Sequence, residues 1–318
     1  MSILISGSLV YDHIMNFPDS FKNHIMPDQI HILNVGFIIN KLQKSWGGTA
    51  GNIAYTVKLL GAEPIIVSAV GNDAGEYQEH FKQCGISTEF ILIDHNTPTA
   101  SAYITTDNED NQISAFYGGP LDSTPDLPET LTRQTTPLAL ISPTDKEVMI
   151  KHLRQAKEKK MTAIFDPGQQ LSAFSGTELK SLISQSDMVI ANDYEIKLLQ
   201  KKTGWDAKKM LAESKRLVTT LGEAGSTIST DQGEMIKVKA CPPKFLEDPT
   251  GSGDAYRAGF FVGYEKNFDL KTCAQIGSVA ASYAIEVYGT QEHHFTMDEF
   301  NARYKNTYAS ELILSAKI

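Results

Sequence analysis

Residues 248–254 read Asp-Pro-Thr-Gly-Ser-Gly-Asp and run straight into an apolar helical pattern. Gly251 and Gly253 allow a tight turn and close approach of backbone to a ligand. The first amides of a helix have no intrahelical partner and attract phosphate oxygens. A carboxylate at that place should repel phosphate. Asp254 makes chemical sense if it takes a proton from a hydroxyl that attacks the phosphorus. The segment therefore suggests phosphoryl transfer to an alcohol. Standing alone, the same residues also describe an ordinary capped helix start. The segment is not a Walker loop, because no Lys-Ser/Thr pair follows the glycines, and it lacks the three spaced glycines of a dinucleotide fingerprint.

Three further clusters carry polar groups at the starts of helices or turns. Trp46-Gly47-Gly48-Thr49-Ala50-Gly51-Asn52 suits a small polar ligand, with Asn52 able to donate and accept toward a sugar hydroxyl. Asn192-Asp193-Tyr194-Glu195 fits a capping box, and equally a pair that orients Mg²⁺ and its waters near ATP phosphates. In Thr220-Leu221-Gly222-Glu223-Ala224-Gly225, the glycines would let backbone pass close to a nucleotide or simply make a turn.

Positioning these groups requires a scaffold. The 318 residues suffice for one α/β domain, and 41% hydrophobic with 21% charged residues is ordinary for a soluble globular enzyme. A net charge of −9 argues against a nucleic-acid partner. The 3 cysteines are far apart, which points to a reducing, cytoplasmic setting without a zinc site. No signal peptide or membrane-spanning run is visible, so no membrane partner is expected. Short apolar runs at Ile3–Val10, Pro64–Val70, Leu138–Ser142, Thr162–Asp166 and Met188–Asn192 read as buried strands. Helical patterns alternate with them at Thr49–Leu60, Ala74–Cys84, Lys146–Lys159, Glu178–Ser184 and Tyr194–Lys202. This alternation predicts a doubly wound, mostly parallel sheet flanked by helices, with its site at the carboxyl ends of the strands. Asp12, Asp166, Asn192 and Thr220 fall near such ends. Two β-rich stretches, about 14–43 and 97–118, are expected to pair into a small lid on a single domain spanning 1–318.

The order of the four clusters is more specific than any one of them. The chain resembles the ribokinase-like (phosphofructokinase-B) sugar and nucleoside kinases from Ile3 to about residue 306. Gly47–Asn52 and Asp248–Asp254 match the two family signatures, Asn192 and Glu195 its Asn-x-x-Glu motif, and Thr220–Gly225 its nucleotide loop. Ser252 stands where Ala or Cys is more usual. Gly7–Asp12, Pro27–Asn34, Phe165–Gln169 and Asp254–Gly259 are similar to the bacterial adenosine-kinase-like branch.

The resemblance implies ATP across the carboxyl edge and an alcohol, most simply the 5′-hydroxyl of adenosine, under the lid. Asp254 would be the base, and the amides of Gly251, Ser252 and Gly253 would form an anion hole for the moving phosphoryl group. Asp12, Gly47, Gly48, Asn52 and Gln29 would contact the substrate, with Phe116 or Phe37 stacking on a base. Asn192, Thr220, Gly222 and Gly225 would face ATP; Asn192 and Glu195 would hold magnesium through water. Asp248 and Thr250 match a monovalent cation site, although Ala284–Gln291 departs from the commonest pattern there, so potassium is an expectation only. Arg257 would reach a phosphate or make a surface ion pair. A ribose or fructose kinase and a non-catalytic nucleotide or sugar sensor on the same fold are the alternatives. Either a monomer or a homodimer fits.

Overall fold

The computed structural model describes residues 2–25, 34–109, 111–312 and 314. Its main sheet has 9 strands in the order β13-β12-β11-β10-β9-β8-β1-β4-β5. These are β1 Ser2–Ser6, β4 Glu63–Val70, β5 Ile91–Ile93, β8 Leu138–Ile141, β9 Thr162–Phe165, β10 Met188–Asn192, β11 Arg216–Thr220, β12 Ser226–Thr230 and β13 Met235–Val238. Neighbours from β11 to β5 pair in parallel; β12 and β13 add antiparallel at one edge. The central strands are apolar on both faces because helices cover both. Ile3 and Ile5 join one core with α1 Thr49–Leu59, α2 Gly75–Gln83, α7 Ser252–Glu265, α8 Leu270–Ala284 and α9 Met297–Tyr308. Leu4 points the other way, into a core with α3 Lys146–Glu158, α4 Gly176–Gln185, α5 Asp193–Thr203 and α6 Ala207–Ser214. No helix among the described residues is long and apolar enough to cross a membrane.

The first run does not continue to Val10 as one strand. It stops at Ser6, and the chain turns through Gly7 before β2 Val10–Asn16 begins in a second sheet. A side chain at Gly7 would collide with Thr49 and Ala50, so helix α1 packs against this corner. The second sheet has 4 strands, ordered β3-β2-β6-β7, with β3 Lys41–Gly47, β6 Ser101–Thr106 and β7 Gln112–Tyr117. It joins the main sheet at both β1–β2 and β3–α1, so it overhangs the carboxyl edge. Its register sets Asp12, Ala102 and Phe116 side by side. With the two-residue alternation of a strand, they share the face opposite His13 and Tyr103, whose rings stack at 4.7 Å.

A buried histidine ties the loop before β8 to this edge. His152 of α3 meets the Pro125 carbonyl through Nε2 at 2.7 Å and the Ser6 hydroxyl through Nδ1 at 2.7 Å. The carbonyl only accepts, so Nε2 carries the proton. Burial lowers its pKa to about 4. The unfolded chain therefore binds this proton first as pH falls from about 6.5, and the contribution works against the fold down to about 4. Lowering the pH from 7 to 5 should cost roughly 2 kcal/mol through this one group. Buried Asp12 and Asp254, whose pKa values are raised, act in the opposite direction over that range. Urea unfolding at both pH values should therefore show a smaller loss in His152→Asn than in the parent; equal losses would rule out this linkage.

Candidate functional site

Helix α7 begins at Gly251, whose φ of 77° lies in the left-handed region that glycine occupies without strain. The Ser252 amide folds back to the Pro249 carbonyl at 3.3 Å, and Asp254 sits in the first turn. Its carboxylate does not cap its own helix. Instead Oδ2 accepts from Asn52 Nδ2 of α1 at 2.9 Å, a contact across 202 positions of chain. Asn52 is carried there because α1 starts at Gly48, which has φ 88° and lies against the Ser8 carbonyl so closely that a Cβ would sit 2.5 Å from it.

A cleft of ≈ 570 Å³ opens beside this pair. Its floor is Gly48, Asn52, Thr250, Gly251 and Asp254, its roof Asp12, Ala102, Ile104, Ser114 and Phe116 of the second sheet, and its far wall Pro143, Thr144, Gln169 and Gln170. Asp12 thus reaches the site from the second sheet, not from the end of β1 as the continuous first strand implied. Burial raises Asp254 to about 6, with the charges of Asp166 and Glu195 adding and Arg257 and Asn52 opposing. Burial and then the charge of Asp254 raise Asp12 to about 7. Two carboxylates facing one cavity in this way titrate as a pair near neutrality, the range a general base needs.

Arg257, one turn further along α7, is neither on the surface nor free for phosphate. Its Nε and Nη2 form a bidentate pair with Asp166 at the end of β9, at 2.5 and 2.7 Å. Both side chains are buried, at 7% and 1% exposure. Nη1 donates to the Gly253 carbonyl at 3.0 Å, so the buried pair pins the glycine turn from below.

On the neighbouring part of the edge, Asn192 and Thr220 pair directly between β10 and β11. Asn192 and Glu195 form the capping box in full, both bonds at 2.8 Å. It uses Glu195 Oε2; its pKa is raised, chiefly by burial and also by Asp166. Gly222 opens a short 3-10 turn, and Gly225 (φ 94°) passes so close to Val238 that a side chain there would strike its carbonyl. Asp248 accepts from the amides of Thr250 at 2.9 Å and Gly289 at 3.3 Å, bracing the turn against the α8–α9 connection. Asn192, Glu195, Thr220, Gly222, Gly225 and Asp248 do not line the cleft itself. Gly47 does not line the cleft either; a side chain there would strike the Asp12 carboxylate. Phe37 packs with Phe17 and Phe21, each at 4.9 Å, away from the cleft. Gln29 lies outside the described residues.

Sequence reasoning missed Thr144, Gln170, Thr290 and Gln291. Thr144 could have been found by the rule that placed Asp166, since it follows β8 at the same edge. Its Oγ1 is buried with no hydrogen-bond partner among the described residues. Gln291 carries no local signal.

The sequence profile described as pfkB family carbohydrate kinase matches residues 8–296. A nucleoside kinase of Methanothermobacter thermautotrophicus is 31% identical over 293 residues, covering 91% of each chain. Burkholderia thailandensis nucleoside kinase in complex with inosine superimposes with a TM-score of 0.86 at 32% identity, covering 98% of this chain and 99% of that one. The same protein with ADP-inosine gives 0.84 at 34% identity, covering 98% and 97%. The nucleoside kinase of Methanocaldococcus jannaschii, an archaeal member of the ribokinase family, gives 0.86 at 28% identity, covering 96% and 98%.

Proposed function

The chain belongs to the pfkB family of carbohydrate kinases, with the ribokinase-like fold, and from that premise we propose that it transfers the γ-phosphoryl group of ATP to the 5′-hydroxyl of a nucleoside, adenosine being the first candidate. As a member it is a phosphotransferase with an alcohol acceptor. The observation that carries the nucleoside reading is the cleft itself. Its lining combines hydroxyl partners, Asp12, Asn52 and Asp254, with Ile104, Phe116 and Gln170, which suit a flat base. A free sugar would leave the apolar and aromatic lining unused. An aromatic edge and glutamine amides suit a base, and an amide accepts a 6-amino group or donates to a 6-oxo group equally well. Several similar proteins are nucleoside kinases, one of them solved with inosine.

In this reading Asp254 takes the hydroxyl proton as the alkoxide oxygen attacks the γ-phosphorus and the bond to the β-phosphate oxygen breaks. The Ser252 amide is taken by the Pro249 carbonyl, which leaves the amides of Gly251 and Gly253 to meet the charge that develops; such donors are worth roughly 3 kcal/mol each. The second sheet acts as a lid that excludes water. Asn192, Thr220, Gly222 and Gly225 lie along ATP on the adjacent edge. Glu195 retains one carboxylate oxygen beyond its capping bond, which suits a magnesium-bound water; magnesium, when bound, neutralises phosphate charge. Both Asp248 oxygens serve as a brace, and no step here depends on potassium; equal activity with and without potassium would remove Asp248 and Thr250 as a cation site.

Purified protein with Mg-ATP should be tested against adenosine, inosine, other nucleosides, ribose and fructose. Nucleosides should be preferred by kcat/KM at least tenfold over free sugars. Turnover of a free sugar alone would replace this proposal with the sugar-kinase reading.

A further inference from the structure

Behind Asp254 lies a chain of buried amides and hydroxyls whose polarity can be worked out bond by bond. Asn52 presents Nδ2 to the base, while its Oδ1 meets Gln291 Nε2 at 3.0 Å and the Thr290 hydroxyl at 2.7 Å. The two ends of an amide are nearly equal in shape, so shape alone does not decide which one Asn52 shows to Asp254. Thr290 does not decide either. It has one proton, and the Trp46 carbonyl at 2.8 Å accepts it as readily as Asn52 Oδ1 does.

Gln291 does decide. Its Nε2 also meets the Tyr77 hydroxyl at 2.8 Å, and Tyr77 donates to the Gly47 carbonyl at 2.6 Å. The Gly47 carbonyl is the shorter of the two Tyr77 contacts and only accepts, so with the Tyr77 proton placed there a lone pair is left for Gln291. The amide nitrogen then points inward, toward both Tyr77 and Asn52. Its Oε1 points outward and accepts from His80 Nε2 at 3.0 Å. Gln291 and Tyr77 are buried, at 2% and 1% exposure, so water does not substitute for these bonds. We propose that Gln291 is a positioning residue for Asp254: it takes its orientation from the Tyr77–Gly47 bond and passes it to Asn52, which then always shows the base a donor and leaves Asp254 Oδ1 for the acceptor hydroxyl. This deepens the kinase reading and rests on Asp254 as its base. It also revises Asn52, whose carbonyl is already occupied and which therefore offers the substrate only N–H.

The test is a carboxyl titration that needs no substrate. Full-length protein carrying ¹³C at aspartate carboxyl carbons is titrated by NMR, and the Asp254 signal is identified by its loss in Asp254→Asn. Gln291→Met keeps the length and removes the donor, and Tyr77→Phe keeps the ring and removes the polarity anchor. Asp12, Asp166, Glu195 and Arg257, the charged groups that act on Asp254, are unchanged in both. Losing the enforced donor should raise the proton affinity of Asp254 roughly tenfold in Gln291→Met, with a smaller rise in Tyr77→Phe. The acid limb of kcat should move with it, and the KM for ATP should stay unchanged. An Asp254 titration that does not move in either folded variant overturns the proposal, whether or not kcat falls, because a merely structural residue would lower kcat without moving the titration. If Gln291→Met does not fold, Tyr77→Phe decides by the same criterion. Failure of the kinase reading would appear separately, in the acceptor panel.

Discussion

Asp254→Asn should lower turnover by about 10²–10⁴-fold while leaving ATP affinity nearly unchanged, because a general base contributes that much and asparagine accepts no proton. The substitution is nearly isosteric, and Asn52 at 2.9 Å remains a partner for the new side chain. The loss should therefore appear in kcat and not in stability. The pH profile carries the same signature. Burial raises Asp254 to about 6 and Asp12 to about 7. A base works only when deprotonated, so the parent rate should climb through this range and level off above it. The two carboxylates share the cavity, so the limb should show the apparent values of a pair. In Asp254→Asn the residual rate should keep a single step, that of Asp12, moved to lower pH because the charge of Asp254 no longer raises it. Steady-state kinetics between pH 5 and 9 with saturating Mg-ATP would measure both effects, and a near-normal rate in the variant would remove Asp254 as the base.

The second large effect concerns folding. Arg257→Met should destabilise the protein by roughly 3–5 kcal/mol, because it leaves the Asp166 carboxylate buried and unpaired. The double variant Asp166→Leu/Arg257→Met should recover much of that loss, since two apolar side chains avoid the desolvation cost that the ion pair must offset. Neither variant should regain full activity. Without Arg257 the Gly253 carbonyl loses the donor that holds the glycine turn, and the cation nearest Asp254 is gone, so its proton affinity should rise further. Equilibrium unfolding in urea separates the stability term from the rate term. A cost under about 1 kcal/mol for Arg257→Met would show that the pair is solvated, against its burial here.

The architecture was legible wherever the information was local. β4 and β8–β10 lie where the short apolar runs stood, and α1 and α5 begin where their glycine and asparagine signals stood. Gly251 and Asp254 fall at the start of α7 as the segment 248–254 implied. The misreadings were tertiary. Ile3–Val10 looked like one strand across Ser6-Gly7-Ser8, three small residues that a strand can carry as easily as a turn; the packing of α1 against Gly7 makes them the turn. Arg257 looked like a surface or phosphate-facing cation, because nothing near it in sequence reveals that Asp166 waits beneath it.

By itself the sequence determined the order of the elements and the chemistry available at their ends, because periodicity, turn residues and helix starts are settled over a few neighbouring residues. Tertiary structure decided which of those ends meet. The bond from Asn52 to Asp254 spans 202 positions, and the one from Gln291 to Asn52 spans 239. Such contacts leave no periodic trace in the chain. They exist because the parallel sheet brings α1, α7 and the α8–α9 connection to one edge, where buried polar groups must find one another or remain unsatisfied.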